Sequence, residues 1–225
     1  MASYYHEESG QKAVDWIEKY CTHVKGALGG EPFILEDWQK DDIIKPLFGT
    51  LREDGLRQYR QAYIEVPRKN GKSNLCAAIA LYMLFADGEP GAEIISAAGD
   101  RNQARIVFEI ASAMCATNPK LSGHGKVLRN TIEYKNSFYK AISAEANTKH
   151  GFNAHAVILD ELHVFPDRDL YDVLKTSTGA RTQPMVIAIT TAGHDTSSIC
   201  YELHDYAKKV KEGSIQDDTF LPVIY

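Results

Sequence analysis

Two stretches of the chain carry residue types and spacing suited to chemistry on a phosphorylated substrate. The first is Val66-Pro67-Arg68-Lys69-Asn70-Gly71-Lys72-Ser73. It lies between an apolar run, Ala62-Tyr63-Ile64-Glu65-Val66, and a helix-like run from Asn74 to Ala86. Strand, loop and helix in that order are the setting of a phosphate-binding loop. The first N–H groups of a helix have no partner within it, and the helix dipole favours anions there. Gly71 permits close backbone approach, Lys72 reaches the outer phosphates, and the Ser73 hydroxyl is a ligand for Mg²⁺. The pattern has a glycine where this chain has Val66. The second stretch, Ala156-Val157-Ile158-Leu159-Asp160-Glu161, is an apolar run ending in two carboxylates. Such a run reads as a strand covered on both faces, as in a parallel sheet. At its tip Asp160 can hold the Mg²⁺ of a nucleotide, and Glu161 can polarise an attacking water.

Read alone, each stretch has an ordinary explanation. A Gly-Lys-Ser triplet arises by chance in basic loops, and many strands end in solvent-facing acids. Their order is what matters: Lys72-Ser73 upstream and Asp160-Glu161 downstream together point to a nucleoside triphosphate that is bound and hydrolysed.

The 225 residues suit one ordinary domain, and 44% hydrophobic with 24% charged residues supply a packed core. A formal net charge of −5 excludes a basic surface spanning the chain, though not the local cluster Arg57, Arg60, Arg68, Lys69 and Lys72. Cys21, Cys76, Cys115 and Cys200 lie far apart without metal-ligand spacing, which favours buried free thiols and a reducing, intracellular compartment. No apolar run reaches membrane-spanning length, and the polar start Ala2-Ser3-Tyr4-Tyr5-His6-Glu7 is no signal peptide. A soluble protein that stays inside a cell is expected.

The elements that must position these groups follow from periodicity. Residues 9–24 read as a helix with Val14, Ile17, Cys21 and Val24 on one stripe, stopped by Gly26 and Gly29-Gly30. Residues 1–30 form an N-terminal helical segment ahead of a domain spanning 31–225. Phe33, Leu35, Trp38 and Gln39 lead into a helix expected to end near Pro46. A Gln beside an aromatic ring can read adenine, but spacing alone favours a core role. Leu75, Ala78, Ile79, Tyr82 and Phe85 give the next helix one packing face. Residues 93–98 read as a strand, and Asp100 with Gln103 as the cap of a helix over 104–117. Arg101 and Arg105 lie one turn apart there, as solvated charges or as ligands near a strand end. Residues 131–134 and 138–142 read as a hairpin or edge pair. A short helix after Pro166 carries Leu170, Val173 and Leu174 on one face. Residues 185–189 form another buried strand ending in Thr190-Thr191-Ala192-Gly193, whose hydroxyls can sense a γ-phosphate or position water. His124, His150, His155 and His163 show no ligand pattern and read as structural or surface residues, with His163 nearest the carboxylates. A final helix covers 195–211. The chain then stops within an apolar strand, 219–225, so it is expected to be a piece of a longer protein.

Taken together, Trp38-Gln39, Val66 to Ser73, Val157 to Glu161 and Thr190 to Gly193 resemble the ATPase half of the large terminase subunit, the DNA-packaging ATPase of tailed bacteriophages and prophages. The resemblance runs from about residue 30 to the end, and the Thr-Thr-Ala-Gly element is its most specific part. Members of the family commonly replace the first loop glycine and carry an Arg within the loop, as Val66 and Arg68 do here. The resemblance implies an α/β fold: a P-loop NTPase of the additional-strand, catalytic-glutamate class, with a mainly parallel central sheet flanked by helices. It implies ATP and Mg²⁺, with Trp38 and Gln39 near adenine and Pro67, Arg68, Lys69, Asn70, Gly71, Lys72 and Ser73 around the phosphates. Ser73 and Asp160 would hold the metal, and Glu161 would be the catalytic base. Arg68 would serve the γ-phosphate within its own subunit, while Thr190, Thr191 and Ala192 would couple hydrolysis to movement. The implied partners are double-stranded DNA, the portal protein, the small terminase subunit and further copies of the chain in a ring, within the host cytoplasm. A neighbouring subunit commonly supplies a second cation, for which Arg101 and Lys149 are the candidates. The family's metal-dependent nuclease half has no counterpart in these residues, so no nuclease activity is expected.

Two rival readings remain. One is a P-loop helicase or other DNA-translocating ATPase, against which the Thr-Thr-Ala-Gly element and the missing second recA-like half both speak. The other is a nucleotide-gated module that binds ATP to form a ring and turns over little. Replacing Glu161 separates an enzyme from such a module.

Overall fold

The structure, a computed structural model, describes residues 3–144, 151–193 and 195–225. Its strands are β1 (Ser3–Tyr5), β2 (Thr50–Arg52), β3 (Gln61–Glu65), β4 (Glu93–Ala98), β5 (Gly125–Val127), β6 (Thr131–Tyr134), β7 (Ser137–Ser143), β8 (Ala156–Asp160), β9 (Met185–Thr190) and β10 (Phe220–Ile224). Its α-helices are α1 (Glu7–Tyr20), α2 (Asp37–Gln39), α3 (Lys45–Gly49), α4 (Lys72–Phe85), α5 (Arg101–Thr117), α6 (Pro119–Ser122), α7 (Asp169–Thr176) and α8 (Ile199–Lys211). Eight strands form one sheet in the order β10-β3-β9-β8-β4-β7-β6-β5. The pairs from β10 to β7 are parallel, and β6 and β5 add an antiparallel margin. The resemblance implied a class with an additional strand, and β9 is that strand, lying between the phosphate-loop strand β3 and the acidic strand β8.

Both faces of the sheet are covered, which is why its central strands are continuous apolar runs rather than alternating ones. Side chains still alternate. Ala156 and Ile158 face the core under α1, α4 and α5, while Val157 and Leu159 face the core under α7 and α8. The same alternation in β9 sends Ile187 and Ile189 to the first face, and Val186 and Ala188 to the second. In β3, Ile64 goes to the first face and Tyr63 to the second. This parity decides where the strand tips point. Asp160, in step with Ile158, turns toward α4; Thr190 and Glu65 turn toward α8.

The register brings the tips level. Glu65 pairs with Thr190, and Asp160 with Ile189, so the phosphate loop, the acidic pair and the threonines share the carboxyl rim. The opposite rim is closed by a buried ion network. Arg57 pairs with Asp87, and its Nη2 donates to the Gln183 carbonyl at 2.6 Å. His155, fully buried, lies 2.6 Å from Asp87 through Nε2, and Arg181 pairs with Glu89 at 3.1 Å. Burial alone would raise the Asp87 carboxyl, but the His155 hydrogen bond and the Arg57 charge together hold it below its ordinary value.

Several elements depart from expectation. Helix α1 stops at Tyr20, because the Cys21 carbonyl accepts the Phe33 N–H at 3.0 Å and the chain turns back before the glycines. The helix after Trp38 runs through Pro46 to Gly49 by way of a π turn, Lys40–Ile44. The wider turn opens the backbone ahead of a proline ring that would press on a regular α turn. Helix α4 is buried nearly all round, not on one face, because α1 and α5 cover its outer side. The expected hairpin forms, but β7 is internal: it pairs with β4. In α7, Tyr171 is buried and Val173 is exposed. Strands β1, β2 and β5, of three residues each, were not anticipated.

Candidate nucleotide site at the carboxyl rim

The chain leaves β3 through Val66, whose N–H donates to the Thr190 carbonyl at 3.1 Å and whose side chain is buried in the core. That is why the glycine of the usual pattern is dispensable here: position 66 plugs the core and does not line the loop. Residues 67–71 are exposed, and Lys69 and Gly71 both adopt left-handed backbone, with φ of 68° and 69°. Asn70 closes the loop by donating Nδ2 to the Pro67 carbonyl at 3.1 Å. No side-chain cap occupies the start of α4, which leaves its first N–H groups available to an anion. Lys72 is 7% exposed, and its Nζ lies 3.4 Å from the Pro67 carbonyl and 3.7 Å from Glu161 Oε1. Ser73 is half-buried in the same first turn.

Asp160 is 2% exposed, and its Oδ1 is shut off from solvent without a hydrogen-bond partner. Burial, reinforced by the Glu161 charge and opposed by Lys72 and the Glu161 N–H, pushes its carboxyl up to about 7. An orphaned carboxylate oxygen on one loop and a half-buried hydroxyl on the other are ligand types that suit a hard cation that takes few protein ligands and keeps its waters, as Mg²⁺ does. Cys76, beneath the pair, is held as a thiol by burial and by the Asp160 and Glu161 charges. Glu161 itself adopts left-handed backbone, φ 51°, an uncommon state for a residue with a side chain. The 3₁₀ turn Leu162–Val164 holds it there, with the Val164 N–H donating to the Glu161 carbonyl at 3.0 Å. The end of β4 backs this turn so closely that a Cβ on Gly99 would sit 2.5 Å from the Val164 carbonyl oxygen.

The tip of β9 meets the acidic turn through a residue that sequence reading set aside. His163 receives no ligand pattern from spacing, yet its N–H donates to Thr190 Oγ1 at 3.2 Å and its Nδ1 lies 3.0 Å from the same atom. Thr191 Oγ1 is 3.5 Å from Nδ1, and Glu161 Oε2 is 3.2 Å away, off the hydrogen-bond direction. The signal available beforehand was its place two residues after Glu161. Thr190 and Thr191 are buried and Ala192 is exposed. Gly193 leaves room for this contact, since a Cβ there would lie 3.2 Å from the His163 Cβ.

Gln39 is buried and accepts the Glu36 N–H at 3.0 Å, and its Nε2 would lie 3.8 Å from a Cβ on Gly71. It is thus both core and neighbour of the loop, which the choice between core and adenine reader did not foresee. Trp38 stands edge-on to Tyr225 with ring centroids 5.6 Å apart. Arg68 is exposed in the loop. Arg101 opens α5 and borders a groove of about 540 Å³ with Arg105, Arg129 and Lys140. Lys149 and His150 lie outside the described residues.

Lys72, Asp160, Glu161 and the two threonines therefore converge, with Gln39 at the loop's flank. Such an arrangement can bind phosphate, hold a divalent cation and activate a water. Residues 37–209 match the model of the family described as terminase large subunit, ATPase domain. The large subunit of the terminase of Enterobacteria phage HK97 is 32% identical over 216 residues, covering 92% of this chain and 41% of that protein. The crystal structure of the HK97 large terminase superposes with a TM-score of 0.81 and 28% identity over 96% of this chain and 43% of that one. The large terminase of a thermophilic bacteriophage, solved in complex with ADP, shares the fold alone, with a TM-score of 0.54 and 10% identity over 75% of this chain and 40% of that one. The chain thus spans less than half the length of the HK97 relative it matches. It belongs to the family of terminase large subunit ATPase domains.

Proposed function

We propose that this chain is the ATP-hydrolysing motor domain of a large terminase, which drives double-stranded DNA into a viral procapsid. The observation that supports the reading most is the approach of Lys72 to Glu161, 3.7 Å across the gap that β9 leaves between the two loops. A triphosphate entering that gap draws the Lys72 ammonium onto its outer phosphates and frees the carboxylate for water. The backbone from Pro67 through Lys69 and Asn70 to Gly71 wraps the phosphates, and Arg68, exposed at the loop, swings onto the γ-phosphate. Trp38 and Gln39 flank the adenine. Asp160 and Ser73 would hold Mg²⁺, which when bound would supply positive charge against the phosphates. Glu161 takes a proton from a water whose oxygen attacks the γ-phosphorus, and the bond to the bridging oxygen breaks to leave ADP and phosphate. Thr190, Thr191 and Ala192, at the tip of the strand between the two loops, carry the change onward. In the working motor, copies of the chain form a ring on the portal with the small subunit, and Arg101 or Lys149 reaches a neighbour's phosphates.

The test is steady-state ATP hydrolysis with Mg²⁺ for the chain and for Glu161→Gln, with nucleotide binding measured alongside. A catalytic base predicts turnover lower by about 100-fold or more with binding within a few-fold. Unchanged turnover in the variant, or no nucleotide binding by either protein, overturns the reading.

A further inference from the structure

We propose that His163 is a positioning residue for Glu161, linking the carboxylate to the tip of β9; the inference rests on the motor reading above. Glu161 Oε2 is shut off from solvent and accepts no hydrogen bond, while His163 Nδ1 stands 3.2 Å from it. A buried carboxylate oxygen without a donor is costly, and Nδ1–H is the donor within reach. In the structure Nδ1 lies 3.0 Å from Thr190 Oγ1, which accepts from it in the tautomer that carries the proton on Nδ1. Thr190 does not depend on it. Its Oγ1 also accepts the His163 N–H at 3.2 Å and donates to the Thr191 carbonyl at 2.9 Å.

Nδ1 thus stands between an acceptor on the acidic turn, Glu161 Oε2, and the Thr190 and Thr191 hydroxyls at the tip of β9. Rotating the ring toward Glu161 leaves the Thr190 hydroxyl with the His163 N–H and the Thr191 carbonyl, so the exchange does not strand it. The ring direction sets where the carboxylate is held relative to Lys72 and the attacking water. Movement of the Thr190-Thr191 tip sets the ring direction. The Thr-Thr-Ala-Gly element gains a physical role in this scheme, because Gly193 keeps the space at the His163 Cβ open. The contact continues beyond Thr190 to Cys200 Sγ at 3.8 Å, on α8.

The test compares His163→Ala, His163→Asn and His163→Gln by steady-state ATP hydrolysis and nucleotide binding, with Glu161→Gln as control. An asparagine amide places nitrogen where Nδ1 lies; a glutamine amide reaches the Nε2 position. Positioning predicts kcat lower by about tenfold to 100-fold in His163→Ala and His163→Gln, with binding within a few-fold and His163→Asn recovering most of the rate. Equal rates in all three variants, whether low or unchanged, overturn the inference. If Glu161→Gln keeps full turnover, the motor reading fails instead. A second measurement needs no turnover: the imidazole ¹⁵N spectrum at pH 8 in wild type and Thr190→Val. The Nδ1–H tautomer with a Nδ1 shift displaced by Thr190→Val is expected. A Nε2–H tautomer indifferent to Thr190→Val overturns the inference.

Discussion

Replacing Asp160 with asparagine, in the protein free of metal and nucleotide, removes a charge that the fold holds against its own preference. The carboxyl is pushed from 3.8 to about 7, first by burial and then by the neighbouring Glu161. Between those values the unfolded chain has lost a proton that the folded chain retains. The contribution of this carboxyl to stability therefore falls as pH rises from about 4 to about 7, and is level above that. At about 1.4 kcal/mol for each unit, the full penalty is about 4 kcal/mol at pH 8 and roughly 1.5 kcal/mol at pH 5. Asparagine keeps the volume and an acceptor for the Glu161 N–H but does not titrate. Its advantage over wild type should be larger at pH 8 than at pH 5 by about 2–3 kcal/mol, or roughly 5–10 °C in Tm for a chain of this size. The assay is thermal or urea denaturation in EDTA at the two pH values. Equal shifts at both, or a variant less stable than wild type at pH 8, would refute the reasoning. Adding Mg²⁺ and nucleotide reverses the order, because only the wild type gains the stabilisation of the bound pair.

Gly99→Ala would drive a Cβ into the Val164 carbonyl, which is backbone and cannot yield cheaply. Displacement of the acidic turn should lower turnover by about tenfold or more and stability by about 1–3 kcal/mol; a normal kcat would show the turn is not held from behind. Arg57→Ala leaves Asp87 buried beside His155, and should cost about 3–5 kcal/mol in urea denaturation while leaving nucleotide affinity unchanged. A loss below about 1 kcal/mol would mean that the amino rim is not locked by that pair. Binding of double-stranded DNA should be independent of sequence and fall steeply between about 50 and 200 mM salt, as measured by fluorescence anisotropy. A flat salt response would remove the exposed Lys and Arg as the contact.

The strands that carry the chemistry were legible because they are buried on both faces. Runs such as residues 156–160 and 185–189 have no other plausible packing, and Gly71 and Asp100 mark helix starts by their chemistry. Resemblance, not periodicity, supplied an extra strand between the phosphate loop and the acidic strand, and only the pairing identifies it as β9. What stayed hidden was geometry that only pairing creates. The parity that turns Asp160 toward α4 and Thr190 toward α8 needs the identity of each covering layer. Val66 looked like a defect in a motif because nothing in one dimension says that its side chain enters the core. The π turn ahead of Pro46, and strands of three residues, leave too little pattern to read. His163 was passed over because its partners, Thr190 and Thr191, lie nearly thirty residues downstream.

The two rims of the sheet differ in how their charges are matched, and this has a mechanical consequence. At the amino rim Arg57, Asp87, His155, Glu89 and Arg181 bind the roots of β3, β8 and β9 to the end of α4. Separating any root from the others would strand a buried charge. At the carboxyl rim carboxylate oxygens of Asp160 and Glu161 lack hydrogen bonds, as Arg57 Nε and His155 Nδ1 do at the other rim, and the pair nearest the phosphate loop, Lys72 and Glu161, stands open at 3.7 Å. The strands should therefore be stiffer at their roots than at their tips, so that work released at the tips is delivered to the loops and to α8. Amide exchange should map this asymmetry directly, with slow amides at the strand roots and faster ones in the turns at their tips.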